Sequence, residues 1–368
     1  MGQYIEILRV PLLQQLAKNN NQKNAKPQTH FCILAASKLN HMYFLGIIWN
    51  PNETLFTLGP IQIKYYNLLW IVAFGLGWVI MKRIFLNEKK TVEQLDSLFI
   101  YTVLATMLGA RLGHVIFYDW PYYQNHLLEI LLPIRESADG TLFGFINGYE
   151  FTGFTGLASH GAIIGVIIGV YLYTRKHQGF TMLWLLDRMV IPFAIGAFCV
   201  RLGNFFNSEI NGKVTDASSA FAVKFIRDSD DMHPAKVLAI TKEKTVNAAY
   251  DALENNPQFS QYLEQIPYRH PAQLYEGVAY IFVFIILYFL YWKTDKKNDR
   301  GFLFGLFLVL LWTIRFFVEY VKKSQGGFEE SLGLLSTGQW LSIPFILIGF
   351  YFMFRPSSVG SSSGSSRK

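Results

Sequence analysis

The chain has 368 residues, of which 51% are hydrophobic and 16% aromatic, whereas only 16% are charged. Soluble domains carry about 25% charged residues, so this composition excludes an ordinary soluble enzyme and predicts a multi-pass membrane protein. The net charge is +7, and where the charges lie along the chain is more informative than their sum. The two cysteines, Cys32 and Cys199, are too few for a disulfide scaffold, a cysteine-based zinc site or an iron–sulfur cluster.

Residues 1–41 form a polar N-terminal stretch in which basic residues surround a segment rich in Asn, Gln and Lys. They lack the charged start, apolar centre and cleavage site of a signal peptide. We interpret them as an extension of the gene model and expect the native chain to begin at Met42; a disordered native arm is the alternative. At the other end, residues 355–368 are predicted to form a flexible cytoplasmic tail rich in Ser and Gly.

Seven apolar runs are long enough, or nearly so, to cross a hydrocarbon core, which takes about 20 helical residues. All seven should be helices, because unpaired backbone groups cannot face lipid. We therefore predict an all-α integral membrane protein, with helices 1–4 in residues 42–200 and helices 5–7 in residues 271–354. The predicted spans are Tyr65–Met81, Ser97–Tyr118, Gly156–Tyr173, Met182–Val200, Leu274–Tyr291, Phe302–Tyr320 and Trp340–Phe354.

The distribution of Lys and Arg in the loops predicts the orientation. The loops after the first, third and fifth spans are basic, whereas the loop after the second span carries only Arg135. Lys322 and Lys323, just past the sixth span, are exceptions to this pattern. The N-terminus should therefore lie outside and the C-terminus in the cytoplasm.

Residues 201–270 are the one long hydrophilic block, and this orientation places them outside. Past Gly212 their acidic and basic residues nearly balance, whereas a nucleic-acid surface would need a basic stripe, so no nucleic-acid partner is expected. Apolar residues recur at helical spacing from Val246 to Leu253, and Pro257 follows. We predict a small external head domain with at least one helix.

Several polar residues occur in segments that should be buried in lipid, where a charge costs about 2.5–3.5 kcal/mol. Arg201 and Asn204, at the outer end of the fourth span, share one face if that helix continues. Arg315 and Glu319 share one face of the sixth span. They could form an intrahelical ion pair, or Arg315 could bind a phosphate with two parallel hydrogen bonds.

His160 lies at the outer start of the third span, where it could transfer a proton or be a hydrogen-bonded interface residue. Glu276, in the motif that opens the fifth span, suits the positive end of a helix dipole. In the predicted orientation these groups meet near the outer leaflet and indicate a cationic site for an anionic, phosphate-bearing lipid. No residue pair has metal-ligand spacing and no nucleotide-binding loop is present, so neither a metal nor a cofactor is expected.

Together these motifs resemble the bacterial phosphatidylglycerol–prolipoprotein diacylglyceryl transferase family over about residues 42–356. The block Arg201–Gly212 looks like the signature of that family, and the order of the other motifs along the chain supports the resemblance. The supporting motifs are Ser159–Gly161, His270–Glu276, Arg315 with Glu319, and Gly338–Pro344.

The resemblance implies an enzyme of the cytoplasmic (inner) membrane with its active site toward the outer leaflet. Such an enzyme moves the diacylglyceryl group of phosphatidylglycerol to the lipobox cysteine of an exported prolipoprotein. A thioether forms and glycerol phosphate leaves, which is the first step of lipoprotein maturation. The resemblance implies catalytic roles for His160, Arg201 and Arg315, and substrate-binding roles for Tyr66, Asn204, Glu209, Gly212 and Glu319.

In this interpretation His160 would accept the thiol proton, and the two arginines would stabilise the departing phosphate. Glu209 and Glu319 would orient the guanidinium groups. Deprotonation assisted by an arginine is the alternative to His160 as the base.

Three positions depart from the family pattern: Ala162 replaces a glycine, Val200 precedes the signature arginine where many members have glycine, and Leu311 stands where some have tyrosine. Two other classes of function stay open at this stage, a transporter of anionic lipids and a non-catalytic lipid-binding relative. Residues 228–265, which lengthen the external head, have no assigned task.

Overall fold

The computed structural model describes residues 46–58, 61–142, 145–152, 156–323 and 335–355. The predicted extension 1–41 and nearly all of the predicted C-terminal tail lie outside these residues. In chain order the α-helices are α1 (Tyr65–Asn87), α2 (Val92–Phe117), α3 (Trp120–Tyr123), α4 (Leu128–Leu131), α5 (Ser159–Lys176), α6 (Met182–Phe206), α7 (Pro234–Thr241), α8 (Val246–Asn255), α9 (Ser260–Gln265), α10 (Ala272–Lys293), α11 (Phe302–Val318) and α12 (Thr337–Phe354).

The helical membrane architecture is confirmed, because each of the seven predicted spans forms a helix. Within the described chain, α1, α2, α6, α10 and α12 are long and apolar enough to cross a membrane, whereas α11 is apolar but shorter. The count of seven spans and the orientation stay predictions. One boundary differs in an informative way: α6 continues to Phe206 instead of ending at Val200, so Arg201 and Asn204 both lie on the helix.

Helix α6 is the centre of the bundle. Helices α1, α10 and α11 pack directly against it, α2 pairs with α5, and α12 packs on α11. The core between them is made of large apolar side chains that are fully buried, such as Phe85, Ile191 and Leu287. Because α6 has neighbours on several sides, polar residues at its end are held among other helices.

Glycines allow α2 and α5 to approach closely. Gly109 and Gly113 on α2 face Gly161 and Gly165 on α5, and a Cβ atom on Gly161 would lie 2.7 Å from the Cα atom of Gly113. Small residues four apart permit such backbone contact between membrane helices. The contact fixes the start of α5, and with it His160, against α2.

Short strands, which the sequence analysis did not predict, occur in the polar segments. The described residues form three two-stranded sheets. Their strands are β1 (Ile47–Trp49), β2 (Thr54–Leu58), β3 (Ile61–Lys64), β4 (Ile134–Leu142), β5 (Ile146–Phe151) and β6 (Val223–Phe225). Strands β2–β3 and β4–β5 are antiparallel pairs, whereas β1 pairs in parallel with β6 and so ties the residues before α1 to the head segment.

The head segment has its own small core. The predicted helix at Val246–Leu253 is confirmed as α8, whose start is capped by the Thr245 hydroxyl accepting from the Ala248 amide at 3.3 Å. The Tyr250 hydroxyl donates to the carbonyl of Met232 at 2.7 Å, and burial raises the pKa of Tyr250 to about 12. These contacts give residues outside the bundle a defined structure.

Candidate active site

The end of α6 presents Arg201 and Asn204 on one face, as their spacing predicts. The Nη1 atom of Arg201 donates to the Oδ1 atom of Asn204 at 3.1 Å. Asn204 is only 4% exposed, and the Arg201 side chain is 12% exposed. A guanidinium group buried this deeply needs a carboxylate partner.

That partner is Glu276 on α10, with which Arg201 forms an ion pair through its Nε atom. The Glu276 side chain is 2% exposed, and the hydroxyl of Tyr280 lies 3.3 Å from the same carboxylate oxygen. The Cβ atom of Arg201 lies close to Gly277, where a Cβ atom would be 3.5 Å away. Glu276 is therefore the carboxylate that contacts Arg201, and the orienting role expected of Glu209 stays a prediction, because Glu209 reaches Arg201 only through Asn204.

Glu209 instead belongs to the tight turn that follows α6. Its carboxylate accepts from the side-chain amides of Asn204 at 2.7 Å and Asn207 at 3.2 Å. Ser208 and Ile210, on either side of it, have positive φ angles of 54° and 60°. A branched residue such as isoleucine rarely adopts this conformation, and such strain persists only where the surroundings impose it. Asn204 thus links Glu209 to Arg201.

Tyr66, at the start of α1, packs over this linkage. A Cβ atom on Gly203 would lie 2.6 Å from the Tyr66 ring, so the glycine makes room for the ring. The Tyr66 hydroxyl lies within the electrostatic influence of both Glu209 and Arg201. The structure thus brings three of the predicted residues, Tyr66, Asn204 and Glu209, together with Arg201.

The end of α11 brings Arg315 toward the same cluster. The charge of Arg315 lies close enough to interact with Tyr280 and with Lys322. Lys322 also interacts electrostatically with Arg201 and Glu276. Its guanidinium carbon lies 5.6 Å from the centre of the Trp312 ring. Within the described chain its buried Nε atom has no hydrogen-bond partner.

Glu319 does not form an ion pair with Arg315, although the spacing of the two residues in the sequence allowed one. Among the described residues its carboxylate pairs instead with Lys322, at 3.9 Å. It packs against Gly338 at the start of α12, where a Cβ atom would lie 2.6 Å from both carboxylate oxygens. Lys322 is 4% exposed, and burial together with the nearby Arg315 lowers its pKa. Within the described ranges Arg315 therefore has no carboxylate partner, which leaves its guanidinium group available to an anionic ligand.

Gly212 is a junction of three chain segments. Its amide donates to the carbonyl of His270 at 2.8 Å, and a Cβ atom there would lie 2.6 Å from the Cβ atom of His270. The next residue, Lys213, donates to the carbonyl of Val321 at 2.7 Å. Gly212 therefore has a packing role: it holds the turn after α6 against the start of α10 and the end of α11.

His160 lies apart from these contacts. It is the second residue of α5, and its side chain is exposed. No hydrogen bond or ion pair joins it to Arg201, Arg315 or any other residue in the described ranges. An exposed imidazole with no such partner is able to accept a proton from an incoming group.

From the sequence, Glu276 is assigned only a helix-start role, and Tyr280 and Lys322 are assigned none. The roles of Glu276 and Tyr280 could have been recognised, because Gln273, Glu276 and Tyr280 are spaced to fall on one face of an otherwise apolar helix. For Lys322 the sequence gives no such pattern, because its partners come from other segments.

Among the described residues, one group outside the cluster could hold a metal ion, so the expectation that no residue pair has metal-ligand spacing was wrong. The ligand atoms of His126, Glu129 and Glu136 lie within 4.8 Å of one another. The Nδ1 atom of His126 lies 2.9 Å from the carbonyl of Tyr122, which leaves its Nε2 atom on the side of Glu136. None of these residues shares a hydrogen bond or ion pair with Arg201 or Arg315 in the described ranges.

What the cluster can do chemically follows from its charge. Arg201, Arg315 and Lys322 lie among the carboxylates of Glu209, Glu276 and Glu319, and within the described ranges Arg315 forms no ion pair with any of them. Guanidinium groups in partly buried surroundings bind phosphate oxygens strongly. The arrangement is suited to an anionic ligand at the end of the bundle.

Comparisons with known proteins agree with this chemistry. The sequence profile described as prolipoprotein diacylglyceryl transferase matches residues 53–355. A relative from Bacteroides fragilis is 40% identical over 310 residues, which cover 84% of this chain and 95% of the relative. Relatives from Tolumonas auensis (37% over 307 residues; 83% and 96% covered) and Porphyromonas gingivalis (34% over 319 residues; 84% and 94% covered) are similar along the same length. All three relatives carry the name phosphatidylglycerol–prolipoprotein diacylglyceryl transferase.

Proposed function

Because the chain belongs to the prolipoprotein diacylglyceryl transferase family, we propose that it moves the diacylglyceryl group of phosphatidylglycerol to the lipobox cysteine thiol of exported prolipoproteins. The sulfur forms a bond to the glyceryl carbon, the bond between that carbon and the phosphate oxygen breaks, and glycerol phosphate leaves with the electron pair. The observation that carries this proposal is the cluster of Arg201, Arg315 and Lys322, in which the Arg315 Nε atom has no partner among the described residues.

In this proposal Arg201 and Arg315 have different tasks. Arg201 is held by Glu276 and Asn204, so it presents a fixed positive charge to the phosphate. Arg315 has no carboxylate partner among the described residues, so phosphate oxygens would complete its hydrogen bonding. Both charges stabilise the negative charge that grows on the leaving phosphate, and they do so more strongly where water is excluded.

The acceptor thiol must lose its proton. A free cysteine thiol has a pKa of about 8.5, so only a few per cent is thiolate at neutral pH. His160 is proposed as the group that takes the proton, because its exposed imidazole is accessible to an incoming peptide. Deprotonation assisted by an arginine remains the alternative.

The proposed location is the outer leaflet of the cytoplasmic membrane. The cluster lies beside the junction at Gly212, where the polar head segment joins the bundle, and basic loops at the other end predict that this side faces away from the cytoplasm. Both acyl chains of the lipid can then remain in the bilayer while the peptide approaches from outside.

The test is a transfer assay with purified protein, phosphatidylglycerol and a peptide that contains a lipobox. Mass spectrometry should detect the diacylglyceryl group on the cysteine, and glycerol phosphate should be released. Arg201→Ala and Arg315→Ala should each lower turnover by at least about a hundredfold, the size expected when a charge that stabilises the transition state is removed.

Arg300→Ala is the matched control, because Arg300 is exposed in the loop after α10 and should be dispensable. Wild-type turnover in Arg201→Ala or Arg315→Ala would remove that arginine from the mechanism. Lipid movement across the membrane without a modified peptide would favour a transporter instead.

A further inference from the structure

A cavity of about 860 Å³ lies beside the Glu209 turn. One wall is formed by residues 52–57, which lead into β2 and run along it. The cavity is also lined by residues 207–210, called the floor below, and by residues 227–230, Asn247 and Tyr250 of the head segment. The cavity therefore joins the candidate active site to the head, whose task is otherwise unassigned.

The wall at β2 is the edge of a sheet. Among the described residues, β2 pairs with β3 and with no other strand. Six consecutive residues, 52–57, line the cavity, whereas β3 contributes only Gln62 and Lys64. Side chains on a sheet face would appear at every second position, so a consecutive run indicates that the backbone edge of β2 faces the cavity. Such an edge offers amide and carbonyl groups to another strand, except that the Thr54 amide already donates to the Asn52 side chain at 3.0 Å.

The floor of the cavity holds polar side chains whose hydrogen-bonding capacity the described residues do not fill. Ser208 is only 2% exposed, and its hydroxyl has no hydrogen-bond partner in the described chain. The same is true of the side-chain oxygen of Asn207. The Glu209 carboxylate accepts from two asparagine amides and has no ion pair within the described ranges. A buried polar group without a partner costs free energy, and a bound ligand with N–H groups would be one source of the missing hydrogen bonds.

We infer that this cavity binds the part of the prolipoprotein that follows the acceptor cysteine, as an extended strand added to the free edge of β2. The inference rests on the proposed function. Asn204 connects Glu209, in the floor, to Arg201, so a peptide whose thiol lies near Arg201 would carry its next residues toward β2. Strand addition relies on main-chain hydrogen bonds, so the cavity recognises the extended backbone more than particular side chains.

The length of β2 predicts how many residues of the peptide are bound. A strand advances about 3.3 Å per residue, so the five residues of β2 accommodate about five residues of peptide. Residues of the substrate beyond that length should add little to binding.

A series of lipobox peptides tests the inference on the unaltered enzyme. The peptides end at the acceptor cysteine or continue for two, four, six or eight residues. KM should fall by about tenfold across the series and level off near five residues, a change expected for a few main-chain hydrogen bonds. N-methylation of alternate amides in the longer peptides should return KM to that of the shortest peptide.

A protein variant gives a second measurement. Ser208→Ala should raise KM for the six-residue extension by about threefold, since one hydrogen bond is lost. The control is Ser218→Ala, at an exposed position outside the cavity. A KM that depends on neither peptide length nor N-methylation would overturn the inference while leaving the proposed function intact. Absence of transfer to every peptide would contradict the proposed function itself, and the inference with it.

Discussion

Glu276 is the residue that compensates the charge of Arg201 inside the bundle. Its carboxylate meets the Arg201 Nε atom and lies 3.3 Å from the hydroxyl of Tyr280, and its side chain is 2% exposed. Removing one partner of a buried ion pair costs about 3–5 kcal/mol, because the other charge is left uncompensated. The position of Arg201 therefore depends on a helix other than its own.

We predict that Glu276→Gln lowers both stability and turnover. The amide keeps the size of the side chain and removes its charge, so unfolding should become easier by about 3 kcal/mol. Turnover should fall by at least about tenfold, since a misplaced guanidinium stabilises the leaving phosphate less well. The thermal midpoint in detergent and the transfer assay measure the two effects.

Glu150→Gln is the matched control for this change, because Glu150 is exposed on β5. It should alter neither quantity. If Glu276→Gln had the stability and the turnover of the wild type, Arg201 would have to be held by other groups.

The sequence indicates the two buried arginines more readily than the carboxylates that lie near them. Arg201 and Arg315 are conspicuous because charges are rare in apolar helices. The carboxylates near these arginines are harder to identify. Local spacing favours Glu209 and Glu319, whereas the partner of Arg201 is Glu276, which lies beside it because α6 packs against α10. Pairing between distant segments depends on the tertiary fold, which one sequence does not display.

The pair formed by α2 and α5 is the element that positions His160. A Cβ atom on Gly165 would lie 2.9 Å from the Cα atom of Gly109, so the two helices touch through their backbones. Any larger side chain must push the helices apart. The start of α5 would then move relative to α6.

We predict that Gly165→Val lowers turnover by at least about tenfold, because a displacement of about 1 Å at a reacting group has effects of this size or larger. Lipid binding at Arg201 should persist, since α6, α10 and α11 are not changed. Gly75→Val on α1 is the control, because a Cβ atom at Gly75 would meet nothing within 4 Å. Wild-type turnover in Gly165→Val would show that the close packing of α5 is not needed for catalysis.

At the element scale the helices could be predicted and the strands could not. Each span is a long apolar run, which is a strong local signal. By contrast, β1 has three residues, and its partner β6 lies on the other side of four membrane helices in the sequence. Such short strands carry too little pattern to be recognised, although β2 lines the cavity beside the Glu209 turn.

The whole molecule is organised around one junction. At Gly212 the turn after α6, the start of α10 and the end of α11 meet through backbone hydrogen bonds, and Lys323 donates to the carbonyl of Asn211 at 3.1 Å. Arg201 and Arg315 lie on two of the helices that converge there. The polar head is thereby connected directly to the cationic cluster.

The predicted orientation of the bundle in the membrane rests on the charges of the loops and not on how the helices pack. Helices pack in the same way whichever end faces the cytoplasm, so only the Lys and Arg content of the loops predicts the direction. Lys322, an exception to this pattern, is buried beside Glu319 in the structure. Because its positive charge lies beside a carboxylate inside the protein, Lys322 does not count against the predicted orientation.

Arg201 and Arg315 are together proposed to bind the phosphate of an anionic lipid. The most direct measurement is lipid retention by the purified protein in bilayer nanodiscs of mixed phosphatidylglycerol and phosphatidylcholine, followed by native mass spectrometry. The wild type should retain phosphatidylglycerol selectively, whereas Arg201→Ala and Arg315→Ala should each lose the selectivity and Arg300→Ala should keep it. Equal retention of both lipids by the wild type, or undiminished selectivity in both arginine variants, would contradict the account.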